Sequence, residues 1–339
     1  MKKYVLVTGG AGYIGSHTVV ELVDNGFTPV IVDDLRNSDR RVLDGLEKMI
    51  GDQFEIHTID VCDRIALQNV FETYDFSGVI HFAAFKAVDE SVNEPLKYYR
   101  NNLVGLMNVL ELTVEYNVPS FVFSSSCTVY GEPEDTPVVD EQTPVGEQSS
   151  PYGRTKHIGE LMLQDLAKTG SGPKMLLLRY FNPVGAHPSG NIGELPIGTP
   201  GNLFPVVTQT GAGVRKELTV FGNDYHTNDG TCVRDFIHVC DVAEAHVSGL
   251  NWLLSQHEST CEVVNLGTGR GTSVLEIIHT FEKQFDTKLN WKFGPRRIGD
   301  VPEIYADVNK ASELLKWQAK RTIEDAIRDA WNWEQRIRK

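Results

Sequence analysis

The chain has 339 residues, of which 41% are hydrophobic and 23% are charged, and its formal net charge is −14 at pH 7. This composition is typical of a globular protein with two domains, and the acidity argues against nucleic acids and anionic membranes as partners. The apolar runs are too short for a membrane span or a signal peptide, and the five scattered cysteines suit reduced thiols. We therefore expect a cytoplasmic protein.

Short apolar runs alternate with helical patterns in the first half of the chain. The runs are YVLVT (4–8), TPVIVDD (28–34), FEIHTID (54–60), GVIHFAA (78–84), SFVFSSS (120–126) and MLLLRYF (175–181). Continuous rather than alternating hydrophobicity is typical of strands that are buried on both faces. The pattern predicts an α/β fold with a Rossmann-type, doubly wound parallel sheet.

The texture changes after about Asn182, where the chain becomes rich in glycine and proline. Helical patterns follow at 241–255, 273–285 and 322–339. We predict one domain with the parallel sheet over residues 1–182 and a smaller mixed α/β domain over residues 183–339. A return of the chain to the first domain near residues 234–258 stays open.

A glycine-rich turn follows the first predicted strand. In TGGAGYIGSH, Gly9, Gly12 and Gly15 have the spacing GxxGxxG, and a helical pattern begins directly after them. Glycine lets the backbone turn tightly and approach a pyrophosphate, whose charge then meets the N-terminus of the helix. The turn therefore predicts a dinucleotide site.

An acidic pair, Asp33 and Asp34, ends the second predicted strand. In dinucleotide-binding folds, an acid at this place binds the ribose hydroxyls and repels a 2′-phosphate. NAD is therefore favoured over NADP, although Arg36 and Arg40 nearby leave the preference open.

Later strand ends are expected at the same edge of the sheet, where open α/β folds bind ligands. Asp60 and Val61 follow the third predicted strand, at the place expected for the adenine. The segment FAAFK follows the fourth strand and ends in Lys86. This lysine either faces the cofactor or is an ordinary solvated residue.

A tyrosine and a lysine stand four residues apart in the predicted helix that begins in SSPYGRTKHIGEL. Tyr152 and Lys156 therefore share one helix face. A phenol has a pKa of about 10, and Lys156 with a positively charged nicotinamide would lower it to a range that is useful for a base. Ser126, at the end of the fifth strand, can bind the substrate oxygen or relay its proton. Together these residues predict a catalytic group that oxidises an alcohol.

Longer motifs resemble the extended short-chain dehydrogenase/reductase family and, within it, the sugar-nucleotide 4-epimerases. These motifs are VTGGAGYIGSH, FAAFKAVDES, YYRNN, FSSSCTVYG, SPYGRTK, RYFNPVGAHPSG, FGNDYHTNDGTCVRDFIHV and NLGTGRGTSV. The resemblance implies bound NAD and reversible C4 epimerisation of UDP-glucose and UDP-galactose through a 4-keto intermediate. Alternatives are the same reaction on UDP-N-acetylglucosamine and UDP-N-acetylgalactosamine, or another NAD-dependent oxidation of a sugar nucleotide.

The resemblance also implies the site residues. Those expected to contact NAD are Gly9, Gly12, Tyr13, Ile14, Gly15, Asp33, Asp34, Leu35, Arg36, Asn37, Ser38, Asp60, Val61, Phe82, Ala83, Ala84, Phe85, Lys86, Asn101, Ser126, Tyr152, Lys156, Tyr180 and Phe181. Those expected to contact the substrate are Ser126, Tyr152, Asn182, Asn202, Leu203, Val220, Phe221, Arg234, Arg297 and Asp300. Among the latter, the asparagines and arginines are assigned to the diphosphate side, Val220 and Phe221 to the uracil, and Asp300 to a ribose hydroxyl.

Four positions bear on the reaction and its substrate. The resemblance implies that 4,6-dehydratases carry an Asp-Glu pair just before VYG, and here these positions are Cys127 and Thr128. Neither is a carboxylate acid or base, so elimination is not predicted. Gly201 stands where the family often has asparagine. Ile304, at a position that lines the sugar pocket, is intermediate in bulk and leaves N-acetylated substrates open.

Two further expectations concern metals and assembly. Cys232, His238 and Cys240 lack a second pair with zinc-like spacing, so no metal is expected. The family commonly dimerises through helices of the cofactor domain. A homodimer is therefore expected, with the helix after Asn101 and the helix that carries Tyr152 as its candidates.

Overall fold

The computed structural model describes residues 2–133, 136–297 and 299–339. The strands are β1 (Tyr4–Thr8), β2 (Thr28–Val32), β3 (Glu55–His57), β4 (Phe76–His81), β5 (Ser120–Ser126), β6 (Val138–Val139), β7 (Lys174–Tyr180), β8 (Asn182–Val184), β9 (Leu218–Phe221), β10 (Val233–Arg234), β11 (Phe236–His238), β12 (Cys261–Leu266), β13 (Thr272–Ser273), β14 (Trp291–Gly294) and β15 (Glu303–Ala306).

The helices are α1 (Tyr13–Asp24), α2 (Arg40–Ile50), α3 (Arg64–Thr73), α4 (Val88–Asn93), α5 (Pro95–Tyr99), α6 (Gly105–Glu115), α7 (Pro151–Lys168), α8 (Leu203–Gly211), α9 (Val239–Ser255), α10 (Val274–Phe285), α11 (Asn309–Leu315) and α12 (Ile323–Ile337). A π-helical turn at Arg100–Val104 joins α5 to α6, and a 3₁₀ turn at Cys127–Tyr130 follows β5. Within the described ranges, no helix combines the length and the hydrophobicity that a membrane crossing needs.

Seven parallel strands form the central sheet in the order β3-β2-β1-β4-β5-β7-β12. The winding reverses between β1 and β4, so the crossover helices cover both faces of the sheet. This architecture confirms the predicted α/β fold with a doubly wound parallel sheet. All six predicted runs contribute a strand, and β12 is a seventh that the apolar runs did not indicate.

Two hydrophobic cores lie on the two faces of this sheet. Val5 and Val7 of β1 face a core that includes side chains of α1, α2 and α9. Leu6, between them, faces the other core, which includes side chains of α3, α6 and α7. Successive strand residues point to opposite faces, so a strand covered on both sides must be hydrophobic throughout.

Smaller sheets are built mainly from the second half of the chain. A four-stranded sheet has the order β13-β10-β15-β6, and two-stranded sheets pair β11 with β8 and β14 with β9. A third core packs α8, α10 and α12 against β9. Both α10 and α12 begin with a capping box, in which Ser273 pairs with Glu276 and Thr322 with Asp325.

Two segments of the second half of the chain lie on the central sheet. Side chains of α9 are buried in the core formed with α1, and β12 pairs with β7 along its whole length. The predicted division at Asn182 stays a prediction. Any such division has to assign α9 and β12 to the sheet that the first half of the chain builds.

Candidate active site

The glycine-rich turn between β1 and α1 is tightly folded. Gly9 has φ +71°, and its carbonyl oxygen accepts a hydrogen bond from the amide of Gly12 at 3.1 Å. A Cβ at Gly15 would stand 2.2 Å from the same oxygen, so only glycine fits there. Gly12 caps α1 without a side-chain bond, which leaves the first-turn amides of the helix facing outward. Such a helix N-terminus attracts anions.

The carboxylate of Asp33 is anchored at the end of β2. It accepts the amide of Ala11 at 3.0 Å and that of Leu35 at 2.9 Å. Burial raises the pKa of Asp33, whereas these two amides act in the opposite direction. Leu35 is one of the few non-glycine residues with positive φ, at 60°, and its bond to Asp33 holds this turn. The acid is therefore positioned against the glycine-rich turn.

The charge of Arg36 is matched by two acids. Its guanidinium pairs with Asp34 at 2.6 Å and also hydrogen-bonds to Asp60. The guanidinium carbon lies 5.9 Å from the ring centre of Phe85. Arg36 therefore belongs to a compensated cluster, which weakens the case for it as a 2′-phosphate site.

Tyr152 and Lys156 are both buried on α7. Pro151 is the first helical residue, and the hydroxyl of Ser150 caps the helix by accepting the amide of Gly153 at 3.2 Å. The Lys156 ammonium donates to the carbonyl oxygen of Ser124 at 2.7 Å and lies 5.1 Å from the ring centre of Phe123. The end of β5 thus fixes the lysine one helical turn from the tyrosine.

Burial shifts both pKa values away from the direction expected for catalysis. It raises the pKa of Tyr152 to about 12, although the neighbouring Ser126 hydroxyl acts to lower it. It lowers the pKa of Lys156 to about 8, while the charge of Glu160 acts to raise it. The sequence predicted a tyrosine pKa that is lowered by Lys156 together with a positively charged nicotinamide, and burial in the protein acts in the opposite direction. A base at this position therefore needs positive charge from Lys156 and from an oxidised nicotinamide.

Ser126 ends β5 with its hydroxyl accepting two bonds from Thr128. The amide of Thr128 donates at 3.2 Å and its hydroxyl at 3.0 Å. Ser126 is the acceptor in both bonds, so these bonds do not use its hydroxyl proton, which can be donated to another group. Cys127 beside it is a neutral thiol, because burial raises its pKa to about 12.

The charged residues predicted for the substrate lie close together. Asp300 accepts from Arg297 at 3.1 Å, and its other oxygen lies 3.8 Å from Arg234. Arg297 also stacks over the ring of Phe221, at 4.9 Å from its centre. Phe221 is 39% exposed, whereas the side chain of Val220 is buried in the third core. Of the two residues predicted for the uracil, only Phe221 presents its side chain to solvent.

Asn101 lies in the π-helical turn, and Leu203 begins α8. The other predicted residues follow the same edge of the sheet. They are Ile14 at the start of α1, Asn37 and Ser38 between β2 and α2, Val61 after β3, Phe82 to Ala84 after β4, and Tyr180 and Phe181 at the end of β7. Asn182 begins β8, and its buried Oδ1 has no partner among the described residues. Ile304 packs in a small cluster with Phe181, Val129 and Cys127, next to Ser126.

Relatives of known function match this chain over nearly its full length. The profile of a family described as GDP-mannose 4,6 dehydratase matches residues 6–330. UDP-glucose 4-epimerase 2 of Arabidopsis thaliana is 49% identical, across 98% of this chain and 95% of the relative. UDP-glucose 4-epimerase of Bacillus subtilis is 48% identical, across 97% of this chain and 96% of the relative.

The chain belongs to the UDP-glucose 4-epimerase family. Solved members of this family have the same fold: the epimerase of Stenotrophomonas maltophila, solved with NAD and formylated UDP-arabinopyranose, has a TM-score of 0.95 and 45% identity, with 99% of each chain covered. The epimerase of Bifidobacterium longum, solved with NAD+ and UDP, has a TM-score of 0.94 and 42% identity, with 98% of each chain covered.

In this member of the UDP-glucose 4-epimerase family, three residues that the sequence did not predict contact residues of the candidate site. Asn102, in the π-helical turn, accepts the amide of Phe85 at 2.9 Å and donates to Thr155 of α7 at 3.0 Å. The other two are Glu194 and His246. His246 lies behind β5, 3.2 Å from the hydroxyl of Ser124 and 4.7 Å from the ring centre of Phe82. In the sequence, only the motif YYRNN pointed to one of them.

Glu194 connects residues of the two predicted sites. Its carboxylate pairs with Lys86 at 3.2 Å and accepts from the side-chain amide of Asn202 at 2.5 Å. The Lys86 ammonium also lies 5.8 Å from the ring centre of Tyr13, whose hydroxyl donates to Gly185 at 2.7 Å. Lys86 is therefore held at the edge of the sheet, in contact with the segment that the substrate residues occupy.

The residues first considered for a metal have other partners. His238 lies 3.4 Å from Asp329, and its Nδ1 accepts the amide of Cys240 at 3.1 Å. In the part of the chain that the structure describes, no group of three or more histidine, cysteine or acidic side chains is arranged to hold a metal ion.

Proposed function

We propose that this chain interconverts UDP-glucose and UDP-galactose at C4 through a 4-keto intermediate, with NAD held as its cofactor. One observation carries the proposal: Tyr152 and Lys156 are buried side by side on α7 at the carboxyl edge of the sheet, next to a serine with an available proton. Where elimination would need a carboxylate, the chain has a neutral thiol and Thr128. Relatives that carry the epimerase name over nearly the full chain support the same activity.

The turn after β1 fits a dinucleotide. Gly15 has no room for a Cβ, the first turn of α1 offers uncapped amides, and Asp33 is fixed beside that turn. These are the features that a pyrophosphate and an adenosine ribose require. Asp60 and Arg36 would border the adenine, and Lys86 would face the nicotinamide half. When bound there, NAD supplies reversible acceptance of the C4 hydrogen with its electron pair.

The chain itself moves the proton. In the proposed mechanism, the phenolate oxygen of Tyr152 takes the proton of the sugar 4-hydroxyl and later returns it. Lys156, held by the carbonyl of Ser124, stabilises the phenolate by its charge. Ser126 hydrogen-bonds the same sugar oxygen with its hydroxyl proton, which the bonds from Thr128 do not use.

The nucleotide has to stay bound while the sugar rotates in the site. Arg234 and Arg297 would contact the diphosphate, since guanidinium groups match phosphate oxygens and remain charged. Phe221 would stack on the uracil, and Asn182 and Asn202 would bind near the diphosphate. Arg234 and Asp300 are both largely shielded, so their charges are weakly screened by solvent. Tight binding of the nucleotide would allow the 4-keto sugar to rotate without leaving the site and to present its opposite face to the cofactor.

The test is an assay of the purified protein with UDP-galactose and no added NAD. We expect UDP-glucose to form up to an equilibrium mixture without lasting absorbance of reduced nicotinamide. Stoichiometric build-up of that absorbance would indicate a net oxidoreductase instead, and no product with NAD-loaded protein would rule out the epimerase. Running UDP-N-acetylgalactosamine in parallel tests whether Ile304 admits the larger sugar.

We also propose that the protein is a homodimer built on the helices around α7. Large apolar side chains are exposed on α4, α5, the π-helical turn, α6 and α7: Val92, Leu96, Val104, Met107 and Leu161. These helices pack against one another, and we propose their exposed apolar side chains as the contact surface. Contiguous exposed apolar groups are typical of protein interfaces. Two of these helices, α6 after Asn101 and α7 with Tyr152, are those that the sequence predicted for dimerisation.

Leu96→Asp is expected to convert the dimer into a monomer at micromolar concentration. Leu96 is 80% exposed, so the change should not disturb the folded subunit, but it would bury an unpaired charge in the interface. Sedimentation velocity measures the outcome. Val214→Asp, an equally drastic change at an exposed site in the other half of the chain, serves as the control. A Leu96→Asp protein that sediments like the unmodified protein would contradict this interface.

We propose that the protein is cytosolic, because its cysteines are not paired in disulfides. All five cysteines are free, and none is fully exposed. Unpaired, partly buried thiols persist in reducing compartments, whereas secreted proteins usually pair them. Localisation of a fluorescent fusion tests the assignment.

A further inference from the structure

We propose that Glu160 is a positioning residue for the reaction: held by Arg179 and Ser125, its carboxylate locks α7 to the sheet and presents the negative charge that faces Lys156. This inference rests on the proposed function, because it assigns a role to a group that acts through Lys156 and Tyr152. Glu160 touches neither of the predicted ligands.

The carboxylate of Glu160 is fully enclosed. Its exposure is 1%, and it accepts two bonds from the guanidinium of Arg179, from Nε at 2.8 Å and from Nη2 at 2.6 Å. The hydroxyl of Ser125 donates a third bond at 2.5 Å. Arg179 lies on β7 and Ser125 on β5, and the two are paired in the sheet. One carboxylate therefore joins α7 to two neighbouring strands.

The three serines that end β5 each meet a different group. Ser124 offers its carbonyl oxygen to Lys156, Ser125 donates to Glu160, and Ser126 stands beside Tyr152. Tyr152, Lys156 and Glu160 follow one another at intervals of four residues, so they share one side of α7. Each serine at the end of β5 thus has its own partner on α7. Among the three partners, Glu160 lies farthest along the helix from Tyr152.

The charges around Lys156 come from several elements. The titratable or charged groups near Lys156, near Tyr152 or near the strand end that holds them are Tyr152 and Glu160 on α7, His81 on β4, Arg179 and Tyr180 on β7, Cys127 on the 3₁₀ turn, Tyr98 on α5 and His246 on α9. Burial lowers the pKa of His81 to about 3 and that of His246 to about 4, and it raises the pKa of each phenol and of the thiol. At neutral pH, Lys156, Glu160 and Arg179 are therefore the charged members of this group.

Removal of the carboxylate would leave two buried cations without compensation. Burial lowers the pKa of Lys156 to about 8, and Glu160 opposes that change. An ammonium is charged below its pKa, so its help to the phenolate is lost as the pH rises through that value. Loss of Glu160 lowers the pKa further, and the unpaired Arg179 adds to the effect. The loss of turnover at high pH should then begin at a lower pH.

A buried ion pair can also be purely structural, and the pH profile separates the two roles. We compare kcat against pH for the unmodified protein, Glu160→Gln, Glu160→Asp and Arg179→Lys with UDP-galactose. At high pH, kcat is expected to fall, and we call this part of the profile the high-pH limb. In Glu160→Gln the midpoint of this limb is expected to lie at least about one pH unit lower, with KM nearly unchanged. Glu160→Asp keeps the charge and should restore the limb. Arg179→Lys keeps the charge but loses the two-bond geometry, so it should lower the melting temperature and leave the limb in place.

Two measures keep the inference testable if Glu160→Gln fails to fold. The double variant Glu160→Leu/Arg179→Met replaces the pair by apolar side chains of similar size, which buried sites usually tolerate. Its limb should still move down, since the charge that faces Lys156 is gone, but by less than in Glu160→Gln, because no unpaired arginine remains beside the lysine. Titration of carbon-13-labelled lysine, with Lys156 assigned by its absence in Lys156→Met, reads the lysine directly without turnover.

The outcomes distinguish the two proposals. An unmodified protein without epimerase activity overturns the proposed function, whatever the variants do. An active protein whose limb and lysine titration are the same in Glu160→Gln, or in the double variant, overturns the role of Glu160 alone. Equal shifts in Glu160→Gln and Glu160→Asp would show that packing, not charge, is responsible, and would overturn it as well.

Discussion

Tyr152→Phe is expected to reduce kcat by about 100- to 10,000-fold, the usual contribution of a positioned general acid or base. The change removes one oxygen and keeps the ring. In the proposed mechanism that oxygen takes the proton of the sugar 4-hydroxyl, and a solvent molecule cannot replace it, because Tyr152 is only 8% exposed. The loss should appear in kcat far more than in KM, since the nucleotide is held elsewhere.

Binding should survive this change. The residues proposed for the diphosphate and uracil are on β8, β9, β10 and the segments around residues 202 and 297, and those proposed for the pyrophosphate of NAD are on the turn after β1. Tyr152→Phe alters none of these elements. Calorimetric titration with UDP, and the amount of NAD released when the protein is denatured, should therefore match the unmodified protein.

The matched control is Tyr116→Phe. Tyr116 ends α6 just before β5 begins, so it lies at the amino edge of the sheet, opposite the proposed site, and its hydroxyl donates to Glu72. The control should keep normal turnover. If Tyr152→Phe retained more than a tenth of the original kcat, Tyr152 would not be the base. If it lost NAD, its role would be structural.

Asp33→Asn is expected to weaken NAD binding by about 10- to 100-fold. A hydrogen bond to a charged group is worth about 1.5–3 kcal/mol, and every 1.4 kcal/mol is about tenfold in affinity. The carboxylate accepts two backbone amides, one from the glycine-rich turn and one from Leu35. An asparagine there has a single acceptor oxygen, and its NH₂ group would face an amide hydrogen. The variant thus loses both the ribose contact and the order of the turn.

The measurement is the dependence of turnover on added NAD, together with the NAD content of the purified protein. Asp33→Asn should need added NAD and reach nearly normal turnover when saturated. Asp44→Asn removes the same charge from an exposed position on α2 and should behave like the unmodified protein. A variant that retains NAD as tightly as the unmodified protein would show that Asp33 does not contact the cofactor.

The strands were predictable because their signal is local. Six apolar runs predicted six strands of the central sheet, and SFVFSSS coincides with β5. β12 was not predicted as part of this sheet, although it pairs along its whole length with β7. The two strands are separated by about eighty residues, and nothing in the composition of either one states which strand it will pair with.

The site was predictable as a set of strand ends but not as a network. Parallel strands bring their carboxyl ends to one edge, so Asp33, Lys86 and Ser126 could be placed near one another from sequence order alone. Their partners could not. Glu194 lies within an irregular glycine- and proline-rich stretch, and Glu160 looks like any charged residue on a helix. Only the folded chain shows that each is held by a cation or an amide from a distant segment.

The burial of Tyr152 and Lys156 could not be predicted for the same reason. From the sequence, a lysine one turn away and a positively charged nicotinamide indicate a lowered tyrosine pKa. The structure shows that burial is the larger effect on both groups, and burial depends on every element packed around α7.

Hydrophobic periodicity, glycine spacing and the order of polar residues after each strand determined the fold class, the glycine-rich turn and the tyrosine–lysine pair that we propose for catalysis. These are properties of neighbouring residues, which the sequence states directly. The tertiary structure alone decided which strand completes the sheet, that Arg36 is compensated, that Glu194 joins Lys86 to Asn202, and that Glu160 is buried against Arg179. Each of these depends on distances between residues far apart in the chain, and burial sets how strongly their charges act.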